Sequence, residues 1–140
     1  MREPPPGVTD AEVLARVRDA WSPRATRVEH LPVGFGAHHW AAYDGAVPLL
    51  FVTFDRVAER HTAHGLEAAY AGARALRDGG LEFVLACLPS SGGTLTAHLA
   101  DGVLSCTPWV DGESEGDLDV VWTTTALGRL HAADPPPGIP

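Results

Sequence analysis

Residues 27–54 read RVEHLPVGFGAHHWAAYDGAVPLLFVTF and contain three short runs rich in β-branched and aromatic side chains. The runs are Arg27 to Val33, His38 to Tyr43 and Pro48 to Phe54. Gly34-Phe35-Gly36 separates the first two runs, and Asp44-Gly45 separates the second from the third. Both residues of an Asp-Gly pair tolerate the positive φ of a tight hairpin turn. The stretch therefore predicts a three-stranded antiparallel meander.

A helix is predicted on each side of this meander. Before it, Thr9 and Glu12 have the spacing of a capping box, and apolar residues recur at helical intervals, which predicts a helix over about residues 10–21. After it, a long helix is predicted over about residues 58–78. Gly79-Gly80 ends that helix because glycine adopts the left-handed conformation without a Cβ clash. The apolar face of the long helix consists of Leu66, Ala69, Tyr70, Ala73 and Leu76.

The second half of the chain predicts further strands and a last helix. The β-rich runs are Phe83 to Leu88, Thr94 to Leu99 and Val103 to Trp109. Ser90-Ser91-Gly92-Gly93 and Asp101-Gly102 separate them. After an acidic loop over residues 111–117, apolar side chains predict a helix that ends near His131. The predicted fold class is α+β, with an antiparallel sheet of five or six strands, one long packed helix and flanking helices.

The chain has 140 residues, of which 45% are hydrophobic, so it can form one ordinary domain with a core. Proline runs at 4–6 and 135–137 predict extended ends, because proline lacks a backbone N–H group. The expected organisation is a tail over residues 1–8, a domain over residues 9–134 and a proline-rich tail over residues 135–140. Cys87 and Cys106 lack CxxC spacing, and we expect two buried thiols instead of a disulfide.

The charge of the chain limits its partners. A formal net charge of -8 argues against a nucleic-acid partner, because binding to phosphates requires clustered cations. All ten basic residues are arginines, and the chain has no lysine. No apolar stretch approaches the roughly 20 residues that cross a bilayer, and the first residues lack the apolar run of a signal peptide. We therefore expect a cytoplasmic protein without a membrane partner.

Four segments carry a resemblance that goes beyond the order of the elements. They are LPVGFGAHHW at 31–40, ARALRDGGLEFVLACLP at 73–89, TPWVDGES at 107–114 and LGRLHAAD at 127–134. Together they resemble the aminoglycoside phosphotransferase family, and within it the spectinomycin-phosphotransferase-like branch. The resemblance covers about residues 9–134, and it implies the kinase-like, amino-terminal lobe of such an enzyme alone.

The resemblance implies a nucleotide site on this lobe, with ATP or GTP and Mg²⁺ as cofactors. The phosphate-covering turn would be Gly34, Phe35, Gly36, Ala37 and His38, where glycines let backbone N–H groups approach an anion. Without the resemblance, the same residues form only a tight hairpin. The linker that receives the adenine would span residues 107–112, with backbone contacts from Thr107 and Trp109. The alternative for Trp109 is a side chain that caps the core at a strand end.

The chain departs from the family pattern on its third strand. The resemblance places the nucleotide-binding lysine of the family at Thr53, and the chain has no lysine to replace it. A planar guanidinium is not equivalent to a compact ammonium, so Arg56 and Arg60 do not compensate. Glu67 is the helix glutamate expected to orient that lysine, or else a solvated helix carboxylate. The catalytic carboxylates of the family belong to a carboxy-terminal lobe that these residues do not include, and no catalytic residue is predicted here.

Three functional interpretations remain open at this point, of which an enzyme of unrelated chemistry that reuses the pocket has no motif to support it. In the first, the chain is a fragment or split subunit of an antibiotic phosphotransferase, inactive alone and completed by a separate catalytic lobe. In the second, it is a degenerate, pseudokinase-like module that binds a small molecule or forms a homodimer. No metal site is expected, because His38 and His39 point to opposite faces of a strand and His61 with His64 lacks a third ligand. The acidic run from Asp111 to Asp119 either attracts a cationic aminoglycoside or is a solvated loop.

Overall fold

The computed structural model describes residues 2–58, 61–112 and 119–135. The elements found there are α1 (Asp10–Ala20), β1 (Arg27–Leu31), β2 (His38–Asp44), β3 (Val47–Arg56), α2 (Ala63–Asp78), β4 (Ala97–Leu99), β5 (Gly102–Pro108) and α3 (Val120–Ala132). The strands form one sheet in the order β1-β2-β3-β5-β4, and every neighbouring pair is antiparallel. The predicted α+β fold with a five-stranded antiparallel sheet is confirmed. In the part of the chain that the structure describes, no helix is suited to span a membrane.

Helix α1 covers one face of the sheet and encloses the core. Its capping box is complete, since Thr9 Oγ1 accepts from the Glu12 N–H and the Glu12 carboxylate accepts from the Thr9 N–H. The largest fully buried side chains of this core are Val13 and Val17 from the helix and Trp40, Val52, Phe54, Leu104 and Cys106 from the strands. Trp40 Nε1 donates to Asp10 Oδ1 at 2.9 Å. Pro5 and Val8, in the segment predicted as an extended tail, are buried, and Val8 belongs to this core.

Helix α2 lies on the opposite face of the sheet. Successive strand residues point to opposite faces, so Asp55 points away from the core that contains Phe54. Tyr70 of α2 donates its hydroxyl to Asp55 Oδ2 at 2.6 Å and thereby fixes the helix to that face. The helix begins at Ala63, later than the predicted residue 58, because Thr62 caps it and Ala58 forms an isolated bridge with His61.

The prediction of a strand from Phe83 to Leu88 is wrong. Arg77 Nη1 donates to Glu82 O and Val84 O, each at 2.7 Å. These backbone carbonyl groups are therefore bonded to a side chain and not to a neighbouring strand. Near the end of this segment, Leu88 N donates to Cys106 O at 2.7 Å, beside β5. The composition is that of a strand, but this arginine holds the chain in an irregular path.

The turn between β4 and β5 differs from the predicted Asp101-Gly102 turn. The residue with positive φ is Ala100, at 50°, whereas Gly102 lies inside β5. Gly102 is needed there for space, since a Cβ atom would lie 2.4 Å from the backbone oxygen of Asp55. This close approach lets β5 pair with β3 along its whole length.

Helix α3 is attached loosely to the rest of the molecule. None of its residues is buried, and Val120, Val121 and Trp122 are 74%, 77% and 59% exposed. Arg129 provides its main link, donating to Gly80 O at 2.8 Å and to the Glu82 carboxylate at 3.1 Å. The acidic residues 113–117, Leu118, Arg60 and the tail from residue 136 onward lie outside the described residues. The predicted helix is otherwise confirmed, as are two free, buried cysteines at positions 87 and 106.

Candidate functional site

The turn between β1 and β2 has the backbone of a glycine loop. Gly34 and Gly36 adopt φ of 81° and 79°, in the left-handed region that residues with a Cβ rarely enter. Phe35 between them is fully exposed at the tip, while Ala37 and His38 are buried where β2 begins. The turn therefore requires glycine at these two positions, and its shape follows from them.

His38 and His39 lie on opposite faces of β2, as the alternation of a strand dictates. The His38 ring is buried on the α1 side, 6.2 Å from the ring of His30, and burial lowers the pKa of His38. Its side chain therefore points away from the face that carries Thr53. Of the five residues predicted for the phosphate turn, His38 can contribute only its backbone to that face.

Thr53 faces an imidazole at the position where the resemblance implies a lysine. Register places His39 opposite Thr53 and Thr53 opposite Ser105, so these three residues form one row across the sheet. His39 Nδ1 and Thr53 Oγ1 lie 3.1 Å apart, within hydrogen-bonding distance. The imidazole also stacks on Phe51, with ring centroids 4.9 Å apart. Burial lowers the pKa of His39, and the Asp55 carboxylate opposes that shift.

The same imidazole supports the glycine turn. A Cβ atom at Gly34 would lie 2.6 Å from His39 Nε2, so a side chain at position 34 would displace the ring. The ring thus extends from Thr53 on the sheet to the underside of the turn. Sequence reasoning did not place His39 or Phe51 at this site, because their proximity to Thr53 depends on strand register.

Glu67 does not meet Thr53. One of its carboxylate oxygens accepts from Leu95 N at 2.6 Å, and the other accepts from Thr96 Oγ1 at 2.7 Å. The expected alternative of a solvated carboxylate is also inaccurate, because the group is half-buried and anchors residues 95–96 to α2. The nearby Tyr70 hydroxyl has its pKa raised by burial and by its hydrogen bond to Asp55.

The predicted adenine linker directs its backbone differently from what we expected. Trp109 N donates to Leu49 O at 3.1 Å, so this N–H group is engaged by the strand end next to β3. Cys106 O accepts from Leu88 N on the side of β5 that faces away from β3. The backbone groups of successive strand residues point to alternate sides, so those of Thr107 point toward β3. The carbonyl of Pro108 is then the group that points outward, and the following Val110 is 65% exposed.

Side chains at the linker form a small aromatic and polar group beside Phe51. The Trp109 ring lies 6.5 Å from the Phe51 ring, and its indole N–H donates to Asp111 Oδ1 at 2.9 Å. Thr107 Oγ1 is buried and finds no hydrogen-bond partner among the residues that the structure describes. Trp109 is half-buried, so its side chain covers the strand end without entering the core on the α1 face.

Two cavities in the described part of the chain lie apart from Thr53 and the glycine turn. A cavity of about 620 Å³ lies between the carboxyl end of α2 and helix α3, and Gly80 and Arg129 are among its lining residues. Another, of about 360 Å³, lies beside the linker and is lined in part by Pro108 and Val110. Neither includes Thr53 or the glycine turn. The candidate site is thus a face of the sheet under a turn, not a part of either cavity.

Residues 2–58, 61–112 and 119–135 contain no group of three His, Cys, Asp or Glu side chains arranged to hold a metal ion. The carboxylates nearest to the candidate site, Asp55 and Glu67, are already bonded by Tyr70 and by residues 95–96. The Mg²⁺ that the resemblance implies therefore finds no ligand set among these residues.

Known proteins resemble the chain in structure and not in sequence. No family model matches the sequence, and no curated protein does. Among solved structures, spectinomycin phosphotransferase APH(9)-Ia, crystallised with ADP and spectinomycin, superposes with a TM-score of 0.73 at 12% identity. The match covers 93% of this chain but only 40% of that one, so the chain spans well under half the length of the enzyme. The chain therefore has the fold of a kinase-like amino-terminal lobe, as the resemblance implied.

Proposed function

We propose that the chain is the nucleotide-binding lobe of a cytoplasmic small-molecule phosphotransferase and that transfer requires a catalytic lobe formed by other residues, in the same polypeptide or in another. The proposal depends on one observation: a glycine turn lies over a sheet face beside a linker, in a lobe that matches part of an enzyme solved with ADP. Antibiotics of the aminoglycoside class are the proposed substrates, and resistance to them is the proposed role.

The geometry suggests how ATP or GTP would lie on this lobe. Gly34 and Gly36 would place backbone over the phosphates, since neither carries a side chain that intervenes. The base would lie near Phe51, with the outward carbonyl of Pro108 and the backbone at Val110 as its polar contacts. These replace the expected contacts from Thr107 and Trp109, whose backbones are directed at the neighbouring strand. Mg²⁺ would be held by the phosphates and by the catalytic lobe.

The exposed side of α3 is the proposed docking surface for that catalytic lobe. Val120, Val121 and Leu127 are 74%, 77% and 48% exposed, and helical spacing places them on one side of a helix without buried residues. Large apolar patches on soluble proteins commonly mark interaction sites. The 60% of the spectinomycin phosphotransferase chain outside the match is the kind of structure that would cover this helix.

A non-catalytic module is the second candidate, and the residue at position 53 favours it. Thr53 carries no charge to pair with phosphates, and Glu67 is engaged by residues 95–96. Such a module would bind a small molecule or use α3 to form a homodimer. Nucleotide affinity and oligomeric state distinguish the two candidates.

Nucleotide binding is tested by calorimetric titration with ADP, ATP and GTP in the presence of Mg²⁺. A nucleotide-binding lobe is expected to bind with a Kd of about 1 mM or tighter, which corresponds to roughly 4 kcal/mol. Gly36→Val is the matched variant, because a branched side chain at a φ of 79° distorts the turn without touching the core. Absence of heat and of any nucleotide-induced rise in Tm for the wild-type chain would contradict the proposal.

Docking through α3 is tested by sedimentation velocity. The gene sequence next to this coding region shows whether a catalytic lobe is encoded there. An adjacent catalytic lobe, when expressed with the chain, is expected to form a heterodimer that Val121→Asp disrupts. Val47→Asp is the control, because Val47 is also exposed, at 61%, but lies on the β2–β3 hairpin. A homodimer of the chain alone that Val121→Asp dissociates would favour the non-catalytic module.

A further inference from the structure

The imidazole of His39 occupies the space between Thr53 and the glycine turn. Its Nδ1 lies 3.1 Å from Thr53 Oγ1, while its Nε2 is the ring atom nearest to the Cβ position of Gly34. Phe51 stacks on the ring and fixes its plane. An ionisable nitrogen is therefore held at the underside of the turn that the proposed function assigns to phosphates.

The arginine nearest to this position in the sequence does not serve it. Arg56, three residues after Thr53, points to the opposite face, where it pairs with Asp101 and donates to Pro6 O. The chain has no lysine at all. In the row that crosses the sheet through Thr53 and Ser105, His39 is the side chain that can carry a positive charge.

We propose that His39 binds a phosphate group of the nucleotide through Nε2, in place of a lysine, and that Thr53 is a positioning residue that orients the ring from Nδ1. This inference rests on the proposed function. With the Thr53 hydroxyl donating to Nδ1, the neutral ring carries its proton on Nε2 and donates it to a phosphate oxygen. The protonated ring donates from both nitrogens and adds a full charge.

Binding of phosphate to His39 is then linked to a proton. In the free protein, burial lowers the pKa of His39, and the nearby His38 and His30 lower it further. The Asp55 carboxylate on the same face opposes that shift. A phosphate at Nε2 raises that pKa, because an adjacent negative charge favours the imidazolium. Affinity for the diphosphate therefore increases as the pH falls from about 8 to about 6. A permanently charged lysine would give no such dependence in this range.

The experiment compares ADP with adenosine by calorimetry at about pH 6 and about pH 8. We expect wild-type affinity for ADP to be about tenfold higher at the lower pH, and affinity for adenosine to be unchanged. His39→Gln keeps an amide near Thr53 but has no proton to gain, so ADP is expected to bind it as weakly as adenosine at both pH values. His131→Gln, at the far end of α3, is the matched control and should behave as wild type. Protonation of ADP itself is common to all variants and cancels in the comparison.

Two further variants separate binding from folding. Thr53→Val keeps the imidazole without its anchor, and it should weaken ADP binding severalfold while the pH dependence remains. The double variant His39→Ala with Thr53→Lys places an ammonium in the vacated space, and it should restore ADP binding without the pH dependence. Thermal unfolding of each variant checks that the fold is retained.

The outcomes are distinguishable. Binding of ADP that His39→Gln leaves unchanged in strength and pH dependence would overturn this inference and leave the proposed function intact. Absence of ADP binding to the wild-type chain at both pH values would overturn the two together. Loss of binding in His39→Gln that the double variant recovers supports the assignment of His39 as the phosphate ligand.

Discussion

Gly34 and Gly36 share one backbone conformation but differ in their surroundings. Both have positive φ, yet a Cβ at position 34 would collide with His39, whereas a Cβ at position 36 meets nothing within 4 Å. We predict that Gly36→Ala loses about 1 kcal/mol of unfolding free energy from backbone strain alone. Gly34→Ala should lose clearly more, because it also displaces the imidazole. Urea denaturation of the two variants measures the difference, and equal losses would show that the ring moves aside freely.

Thr107 has a buried hydroxyl that no group in the described part of the chain bonds. Valine has nearly the same shape and removes the unpaired polar atom, so Thr107→Val is predicted to raise the free energy of unfolding by about 1 kcal/mol. Thr53→Val is the control, because the Thr53 hydroxyl is bonded to His39 and its loss should lower stability instead. Chemical denaturation of both variants tests the prediction. A loss of stability in Thr107→Val would indicate that the hydroxyl has an unrecognised partner.

Individual residues were predictable where the reason is local. The capping pair Thr9 and Glu12 depends only on spacing, and the structure contains both of its hydrogen bonds. The cross-strand partner of Thr53 was not predictable, because the β2–β3 ladder contains a bulge at Ala42 and Tyr43. Residue pairs next to the turn, such as Asp44 with Val47, are offset by one residue from the pairs beyond this bulge. Extension of the register from the turn would place His38, not His39, opposite Thr53. A one-residue bulge thus decides which histidine faces the site.

At the scale of elements, two side-chain bonds fix α2 to its surroundings. Tyr70 bonds to Asp55 on β3, and Glu67 bonds to Leu95 and Thr96 on the segment before β4. Gly72 is the one residue of this helix that is buried, and apolar side chains such as Leu66 and Leu76 are partly buried. The polar contacts determine where the helix lies.

We predict that Glu67→Ala lowers the free energy of unfolding by about 1–3 kcal/mol, because it leaves the Leu95 N–H without its acceptor. Hydrogen exchange at the Leu95 amide should accelerate in this variant. Asp78→Ala is the matched control on the same helix, since its pair with Arg74 is exposed and should contribute less than about 1 kcal/mol. Unchanged exchange at Leu95 would contradict the role given to Glu67.

The elements themselves followed from the sequence to different degrees. The meander and all three helices were predictable because turn residues and periodicity are local signals. The segment Phe83 to Leu88 was not, since its β-rich composition says nothing of Arg77, which binds its carbonyls from the end of α2. The anchoring role of Glu67 was missed for the same reason, because its partners lie 28 and 29 residues away.

At the scale of the whole molecule, stability is concentrated on the α1 face. The buried residues of α1 are Val13, Val17 and Ala20, whereas α3 has none. Val17→Ala is therefore predicted to lower the global free energy of unfolding by about 2 kcal/mol. Arg129→Ala removes the bonds of α3 to Gly80 and Glu82, and it should accelerate hydrogen exchange within α3 while changing global stability little. Equal effects on global stability would show that α3 is part of the cooperative core.

The fold class was predictable at this scale, because the order of helices and strands is a property of the sequence alone. The resemblance already implied a lobe without its catalytic partner, whereas the exposure of particular apolar residues on α3 could be established only from the structure. The function proposed above therefore depends on which partner covers the exposed side of α3.

The tryptophans give this molecule two optical reporters. Trp40 is fully buried and bonded to Asp10 at the start of α1, so dissolved quenchers cannot reach it while the core is intact. Trp122 is 59% exposed on α3, with its ring edge-on to Phe83 and its backbone next to Val121 of the proposed docking surface. Quenching of Trp122 should thus decrease on association, and quenching of Trp40 should appear only on unfolding. Fluorescence of single-tryptophan variants would follow assembly and folding separately in one polypeptide.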